Sequence, residues 1–326
     1  MVRALRGPSA TRAWGLLPVA SLLVAGLRFG GASEAATPTH LYSLSDFGGA
    51  IPYSAMARMC ADRERDEVYV LESNVVRVFN ATGMEVHRFG LDAALGTARD
   101  IAVAPSGDIF LLCNPTGAMD DRRFFLARCD YRGDFLERIE VVGRPPALAD
   151  FAPSAIVLAG GRFVLASARG LSAAAIGPDG RFERAWDLAE IVGLEPDLRA
   201  SAELGGFSAD DEGNLLFTIP VIFRAFVVSR DGAVRAFGRA GSGAGMFGIA
   251  GGIARGEDGA VYVADRLRGV VIGFREDLSL AGEIGAGPDS DGLLAGPANV
   301  LLGARGKLYV TQTRGRGISV FATRPS

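Results

Sequence analysis

Acidic and amide side chains recur at the ends of short apolar runs, and they are the residues of this 326-residue chain best suited to bind a ligand. Glu72 and Asp265 each stand where a predicted strand ends, and Asp100 and Asn299 stand where two other strands begin. Carboxylate and amide oxygens are the ligands that a hard divalent cation such as Ca²⁺ prefers. One interpretation of these four residues is therefore a divalent-cation site.

The same side chains, with neighbouring aromatic, cationic and amide residues, also suit polar contacts to an organic ligand. We predict such a ligand-binding set, without a metal or other cofactor, as the main function of these positions. Its members are Tyr53, Glu72, Arg99, Asp100, Asp265, Arg268, Asn299 and Gln312. A third interpretation is structural, in which the acids and amides bond to backbone N–H groups or pair with Arg99 and Arg268.

Several catalytic mechanisms lack the residues that they require. The only histidines are His40, near the predicted start of the mature chain, and His87, in a predicted outer strand, so a histidine-ligated zinc site and a Ser-His-Asp triad are not expected. Lys307, the only lysine, falls in a predicted turn and does not suit Schiff-base chemistry. The glycine-rich segment 238–252 lacks the Lys-Ser/Thr ending of a phosphate loop. We therefore predict no catalytic residues.

The elements that position these residues belong to a repeated unit of about 48 residues. Each unit contains a turn residue followed by an apolar strand, and a third and usually a fourth strand follow. The six turn residues are Asp66, Gly107, Gly161, Gly213, Gly259 and Gly306. Six units of four antiparallel strands predict an all-β, six-bladed β-propeller.

The sixth unit contains only three predicted strands, because the chain ends five residues after Phe321. Residues 41–48 alternate apolar and polar side chains and end in Phe47-Gly48, as several fourth strands end in an apolar residue and a glycine. We predict that this N-terminal strand joins the last blade, because an open ring would leave unpaired strand edges.

Residues 253–285 resemble an NHL repeat, in which a glycine turn precedes a YVAD strand end and a phenylalanine follows nine residues after the Asp. The matching residues of blade 5 are Gly259, Tyr262, Val263, Asp265 and Phe274, and those of blade 6 are Gly306, Tyr309, Val310, Gln312 and Phe321. The resemblance covers residues 40–323 and is strongest in blades 1, 5 and 6. It implies a propeller of the NHL-repeat family. Arg268 and Val270 stand where the family usually has Asn and Arg.

The long loops of a propeller with this strand order lie on one face. They connect successive blades or join second strands to third strands, and they span residues 114–122, 143–153, 188–206, 239–252 and 285–298. Because loops carry function disproportionately, this long-loop face is the predicted binding surface.

The first 35 residues indicate a secretory signal peptide, because arginines precede an apolar run at 14–27 and small residues precede Ala36. We predict a mature domain of residues 36–326 that is secreted or periplasmic; an uncleaved membrane anchor is the alternative. Cleavage would remove four Arg and one Glu and change the formal charge from −3 to −6, which does not favour nucleic acid as a partner. A Cys113–Cys129 disulfide is left open.

These observations favour a non-enzymatic binding or scaffold module with a protein, peptide or glycan partner in the cell envelope. A metal-dependent hydrolase or lactonase on the same frame, with Glu72, Asp100, Asp265 and Asn299 around a cation, is the main alternative. A membrane-retained assembly partner is a third hypothesis, and it requires the N-terminal segment to stay attached.

Overall fold

The computed structural model describes residues 38–117, 123–285, 294–313 and 316–323. Within them the chain forms six four-stranded antiparallel sheets, which are the predicted propeller blades. Each of the first five blades is built from four strands consecutive in sequence. The predicted signal segment 1–35 lies outside the described residues, as do parts of the loops 114–122 and 285–298.

The strands of blades 1 to 3 run in sequence order from the channel to the outer edge. Blade 1 contains Arg58–Asp62, Glu67–Glu72, Val75–Phe79 and Glu85–Gly90. Blade 2 contains Thr97–Val103, Ile109–Asn114, Phe125–Cys129 and Phe135–Ile139. Blade 3 contains Ala155–Ala159, Arg162–Ser167, Ser172–Ile176 and Phe182–Asp187.

The same order holds in blades 4 and 5, whereas blade 6 takes its outermost strand from the N-terminal region. Blade 4 contains Gly206–Ala209, Leu215–Ile219, Arg224–Val228 and Val234–Phe237. Blade 5 contains Ala250–Arg255, Val261–Asp265, Val270–Phe274 and Leu280–Ile284. Blade 6 contains Pro297–Leu302, Lys307–Gln312, Ile318–Ala322 and Thr39–Ser43.

Helices in the described residues are confined to connections. Two short α-helices, Leu188–Ile191 and Pro196–Arg199, lie in the loop between blades 3 and 4. Single 3-10 turns occur at Ala93–Leu95, Pro146–Leu148, Pro220–Ile222 and Ala304–Gly306. No helix in the described part of the chain has the length and apolar character needed to cross a membrane.

The six turn residues named from the repeat each lie in the turn between the first and second strands of a blade. All six of these residues have positive φ, between 52° at Asp66 and 92° at Gly107. Glycine adopts this conformation without steric cost, which explains why five of the six are glycine. The common backbone conformation confirms the alignment of the six units.

Closure of the ring follows the prediction, but the closing strand ends earlier than expected. Thr39–Ser43 pairs antiparallel with Ile318–Ala322 in blade 6. After Leu44 the chain forms a small hairpin from Ser45–Asp46 and Gly49–Ala50. Phe47 lies in the turn of that hairpin with 97% of its surface exposed, so the Phe47-Gly48 pair does not end an outer strand.

The hydrophobic core lies between the blades. Six clusters of buried side chains each combine residues of two neighbouring blades, and together they cover all six seams. Leu44, Val70 and Tyr309, for example, join the N-terminal segment to blades 1 and 6. A polar link supports this seam where Nζ of Lys307 donates to Oδ1 of Asp66 at 2.9 Å and to the carbonyl oxygen of Ala81 at 2.7 Å.

The three cysteines are free thiols. Cys113 lies opposite Phe125 in the neighbouring strand, and Cys129 lies opposite Ile109. The two cysteines therefore stand four positions apart along the strand pair, beyond the reach of a disulfide. Both are buried, where a free cysteine behaves as a small hydrophobic residue.

Candidate ligand-binding site

The innermost strands of the six blades enclose a cavity of about 540 Å³ on the propeller axis. Its outer lining comes from connections on the long-loop face, including Met56, Glu203, Val221 and Arg266. The cavity therefore opens on the predicted binding face. At the opposite face, Arg63 of blade 1 reaches Asp211 of blade 4 with a distance of 2.5 Å between Nη1 and Oδ2, so this ion pair bridges the channel.

The strand registers place one residue of each blade at the same level of the channel. In blades 1, 3, 4 and 6 this residue lies opposite the penultimate residue of the second strand, as Arg58 lies opposite Leu71 and Asn299 opposite Thr311. In blade 2 the strand bulges and Asp100 lies opposite Leu112, one position earlier. We call the six the inner ring: Arg58, Asp100, Ala155, Gly206, Gly252 and Asn299. In blade 5 the position falls in a β-bulge, immediately before Ile253, which pairs with Val263.

The inner ring is polar on one side and small on the other. Asn299, Arg58 and Asp100 belong to the consecutive blades 6, 1 and 2, and all three line the cavity. The remaining positions, in blades 3 to 5, carry alanine or glycine. A Cβ atom at Gly206 would lie 2.5 Å from the carbonyl oxygen of Gly251, so the close approach of blades 4 and 5 requires glycine there. The cavity consequently has a polar wall that faces small residues.

Arg58 is half-buried in this wall. Among the described residues we find no acceptor for a hydrogen bond from its guanidinium group and no ion-pair partner. A guanidinium carries five N–H donors in a planar fork that fits carboxylates and phosphates. The donors of Arg58 are thus available to a ligand in the cavity.

Asp100 is the buried carboxylate of the same wall, with 8% of its surface exposed. Its Oδ1 accepts a hydrogen bond from the backbone N–H of Ile101 at 3.0 Å, and its Oδ2 accepts one from Ile156 at 2.9 Å. Burial raises the pKa of Asp100 to about 6, although the positive charge of Arg58 and the two hydrogen bonds act in the opposite direction. The second hydrogen bond also ties blade 2 to blade 3.

Two uncharged polar side chains add further unused hydrogen-bonding capacity. Oδ1 of Asn299 accepts from the N–H of Val300 at 3.0 Å, and we find no acceptor for its Nδ2 group in the described residues. Oγ of Ser208, in blade 4, is buried without a hydrogen-bond partner there. Ser208 also lines the cavity, on the side opposite Arg58 in the ring of blades. Buried polar groups are normally paired, so these atoms indicate a place for an additional molecule.

Three predicted site residues instead hold loops in place. Oε1 of Glu72 accepts from the N–H of Ser54 at 2.8 Å, and Oε1 of Gln312 accepts from Ala295 at 2.9 Å. The third residue, Asp265, is fully buried, and its carboxylate accepts hydrogen bonds from three backbone N–H groups. The donors are those of Gly248, Ile249 and Arg268. These contacts match the structural interpretation of the acids and amides.

The remaining predicted residues also lie away from the cavity lining. Arg268 pairs with both carboxylate oxygens of Glu283, each at 2.8 Å, and the pair is largely buried. Tyr53 is buried in the seam between blades 6 and 1, with its ring edge-on to that of Phe79. Arg99 is half-buried at the bulge in the first strand of blade 2.

Of the eight predicted residues, the structure brings Asp100 and Asn299 to the cavity and does not bring the other six. Glu72 and Asp265 are thus separated from the two residues with which they could have held a cation. In the described residues there is no group of three or more His, Cys, Asp and Glu side chains placed to hold a metal ion.

Arg58 and Ser208 were not selected from the sequence. A signal for Arg58 exists, because it lies 14 residues before Glu72, close to the 13 residues that separate Asn299 from Gln312. Only the strand pairing shows that Arg58 and Asn299 occupy equivalent positions. Ser208 carries no comparable signal, since nothing in its sequence environment indicates an unpaired hydroxyl.

A second hollow, of about 680 Å³, lies between the outer parts of blades 1 and 2. Its polar side chains are already engaged, as Nε2 of His87 lies 2.8 Å from the carbonyl oxygen of Arg132 and the Tyr69 hydroxyl donates to Glu67 at 3.2 Å. The axial cavity differs because Arg58, Ser208 and the Nδ2 group of Asn299 have hydrogen-bonding groups without a partner in the described residues. It is therefore the candidate ligand-binding site.

No protein-family model and no curated protein sequence matches this chain. Solved structures share its fold at low sequence identity. An inactive virginiamycin B lyase from Staphylococcus aureus with quinupristin is 14% identical, with a TM-score of 0.55 over 89% of this chain and 96% of the lyase. A gluconolactonase from Xanthomonas campestris is 16% identical, with a TM-score of 0.55 over 88% and 94% of the two chains.

A protein of unknown function from Bacteroides thetaiotaomicron is 13% identical, with a TM-score of 0.59 over 88% of this chain and 76% of that chain. At such identities the likeness concerns the fold alone. It defines this chain as a six-bladed β-propeller.

Proposed function

We propose that this protein is an extracytoplasmic, NHL-like propeller that binds a protein, peptide or glycan partner of the cell envelope through the axial cavity, and that it performs no chemistry there. The observation that carries the proposal is the set of unused hydrogen-bonding groups on Arg58, Asn299 and Ser208 around an open cavity. Binding sites are typically concave, with a few convergent polar groups in an apolar lining.

The surface around the cavity supports contact with a partner larger than the cavity. Met56 and Leu267, on connections of the long-loop face, have 76% and 69% of their surfaces exposed. Val221 lines the cavity mouth and is also exposed. Apolar side chains around a polar pocket are typical of a protein-interaction surface.

The test is equilibrium binding to a panel of short peptides and oligosaccharides, measured by ligand-observed NMR. Ala155→Trp should abolish binding, because Ala155 lines the cavity and the indole would take up space between the polar wall and the small residues. Ala185→Trp is the matched control, since Ala185 lies exposed in the outermost strand of the same blade. Binding that survives Ala155→Trp would contradict the proposed site.

A hydrolase or lactonase is the second candidate function. It is favoured by Asp100, since a buried carboxylate with a pKa of about 6 in a cavity has the properties of a general base. The fold similarity to a gluconolactonase points in the same direction. Metal analysis of the purified protein and lactone and ester hydrolysis assays separate the candidates. A stoichiometric divalent cation and hydrolysis, both lost in the Asp100→Ala/Asn299→Ala double variant, would replace the binding proposal with the enzyme.

Export to the envelope is part of the proposal and rests on the N-terminal sequence. The intact mass of the exported protein should correspond to a chain that begins near Ala36. A mass that includes residues 1–35, found in the membrane fraction, would favour the anchored form.

A further inference from the structure

We propose that the axial cavity selects a ligand with a single carboxylate group, which the guanidinium of Arg58 binds, and with an adjacent hydroxyl or amine that donates to Asp100. This inference rests on the proposed function, because it names the ligand class of the same site. The argument uses the polar half of the inner ring and the apolar residues around it.

Arg58 determines the charge of the group that the cavity accepts. Its half-buried guanidinium lacks a protein acceptor among the described residues, and an anionic ligand would supply one. Charge-assisted hydrogen bonds from arginine to a planar oxyanion are about twice as strong as neutral hydrogen bonds. Asn299, one blade away, offers its Nδ2 group as an additional donor.

Asp100 limits the negative charge that the cavity tolerates. Its carboxylate lines the same cavity and is close enough to Arg58 for the arginine charge to affect its pKa. An ionised Asp100 repels a phosphate dianion more strongly than it repels a carboxylate, which carries one charge. The arrangement therefore favours a monocarboxylate over a phosphate.

Asp100 also provides a position for a hydrogen-bond donor on the ligand. Each carboxylate oxygen accepts one backbone hydrogen bond and retains capacity for another. A hydroxyl or amine near the ligand carboxylate would meet Asp100 while the carboxylate meets Arg58. Ile156, Phe207, Ile249 and Val300 line the cavity and suit an apolar ligand body.

The test uses four probes with a phenyl body, measured by isothermal titration calorimetry on the purified protein at pH 7.5. They are 2-hydroxy-3-phenylpropanoate, 3-phenylpropanoate, methyl 3-phenylpropanoate and 2-phenylethyl phosphate. The hydroxy acid should bind most tightly, the plain acid next, and the ester and the phosphate at least about tenfold more weakly than the hydroxy acid. An ester that binds as well as the acids, or the absence of acid binding, would overturn the inference.

Variants identify the groups responsible. Arg58→Gln should weaken acid binding at least about tenfold and leave ester binding unchanged, while Arg58→Lys should retain part of the affinity. Arg88→Gln is the matched control, because Arg88 is an exposed arginine in the outermost strand of the same blade and does not line the cavity. Asp100→Asn should remove the preference for the hydroxy acid. Acid affinity that is equal in the wild type and in Arg58→Gln would contradict the assignment of Arg58.

Failure of this inference is distinguishable from failure of the proposed function. If peptides or oligosaccharides bind in a manner sensitive to Ala155→Trp and the acids do not bind, only the carboxylate inference is wrong. If no probe shows binding that Ala155→Trp removes, both are wrong. The thermal transition of each variant, compared with that of the wild type, shows whether it is folded.

Discussion

Some polar groups of the inner ring form hydrogen bonds within the protein, and others have no partner in the described chain. Asp100 already accepts two backbone hydrogen bonds, whereas Arg58 and the Nδ2 group of Asn299 have no partner in the described chain. Unpaired polar groups at a protected position cost stability, and such costs concentrate at functional sites. The ring therefore combines a structural role at Asp100 with groups that are free to bind a ligand.

Replacement of Asp100 should stabilise the protein in a pH-dependent manner. Burial raises its pKa from 3.8 to about 6, so the carboxylate destabilises the folded state as pH rises from about 4 to about 6, and the full cost persists above pH 6. Asp100→Asn should raise the free energy of unfolding by roughly 1–3 kcal/mol at pH 7.5, reduced by weakened hydrogen bonds. The gain should shrink as pH falls towards 4.

Urea denaturation at pH 4.5 and pH 7.5 measures this difference. Glu203→Gln serves as the control, because Glu203 lines the cavity mouth but is exposed, and its replacement should change stability little at either pH. An effect of Asp100→Asn that is equal at both pH values would show that ionisation of Asp100 does not destabilise the fold.

In blades 1, 5 and 6, the last residue of the second strand holds a loop in place by accepting a backbone hydrogen bond from it. Glu72, Asp265 and Gln312 all accept hydrogen bonds from backbone N–H groups of the connection that precedes their own blade. The acid or amide that recurs at this position therefore has a structural role. It holds the loops that surround the cavity mouth on a rigid strand.

Asp265→Ala should destabilise the protein by about 2–4 kcal/mol, because three backbone donors lose a buried acceptor. Asp277→Ala, in an exposed turn of the same blade, should cost less than about 1 kcal/mol. Chemical denaturation measures both variants. A fully stable Asp265→Ala variant that has lost ligand binding would instead support a direct role for Asp265 in the site.

The whole molecule depends on one seam that joins the two ends of the described chain. Thr39–Ser43 completes blade 6, and Leu44 then enters the cluster shared by blades 6 and 1. The Lys307–Asp66 ion pair lies at the same seam and is mostly shielded from solvent. A ring of blades without this seam would expose the strand edges of blade 6 and the apolar face of blade 1.

Leu44→Ala should lower the free energy of unfolding by about 2–5 kcal/mol, because Leu44 is fully buried in the closing seam. Phe47→Ala is the matched control and should have an effect below about 0.5 kcal/mol, since Phe47 is almost fully exposed. Deletion of residues 39–44 should abolish the cooperative transition. An unchanged thermal transition after that deletion would show that the ring is closed by other contacts.

The sequence by itself determined the number of blades and the identity of the closing strand. Each blade carries its own turn residue, and the positive φ at Asp66 and the five glycines shows that the repeat is a local backbone requirement. The three predicted strands of blade 6, one fewer than in the other blades, and the alternation of residues 41–48 were sufficient to predict closure. Phe47 was misassigned because the turn that carries it resembles a strand end.

Only the tertiary structure decided which polar residues face the cavity. Asp265 closes one strand and Asn299 lies near the start of another. The carboxylate of Asp265 accepts hydrogen bonds from backbone N–H groups, whereas the Nδ2 group of Asn299 has no acceptor in the described residues. Arg58 joins Asp100 and Asn299 because the strand registers place them at one level of the channel. Hydrogen bonds between distant segments and the pairing of strands set these outcomes, and neither is encoded in the spacing of residue types.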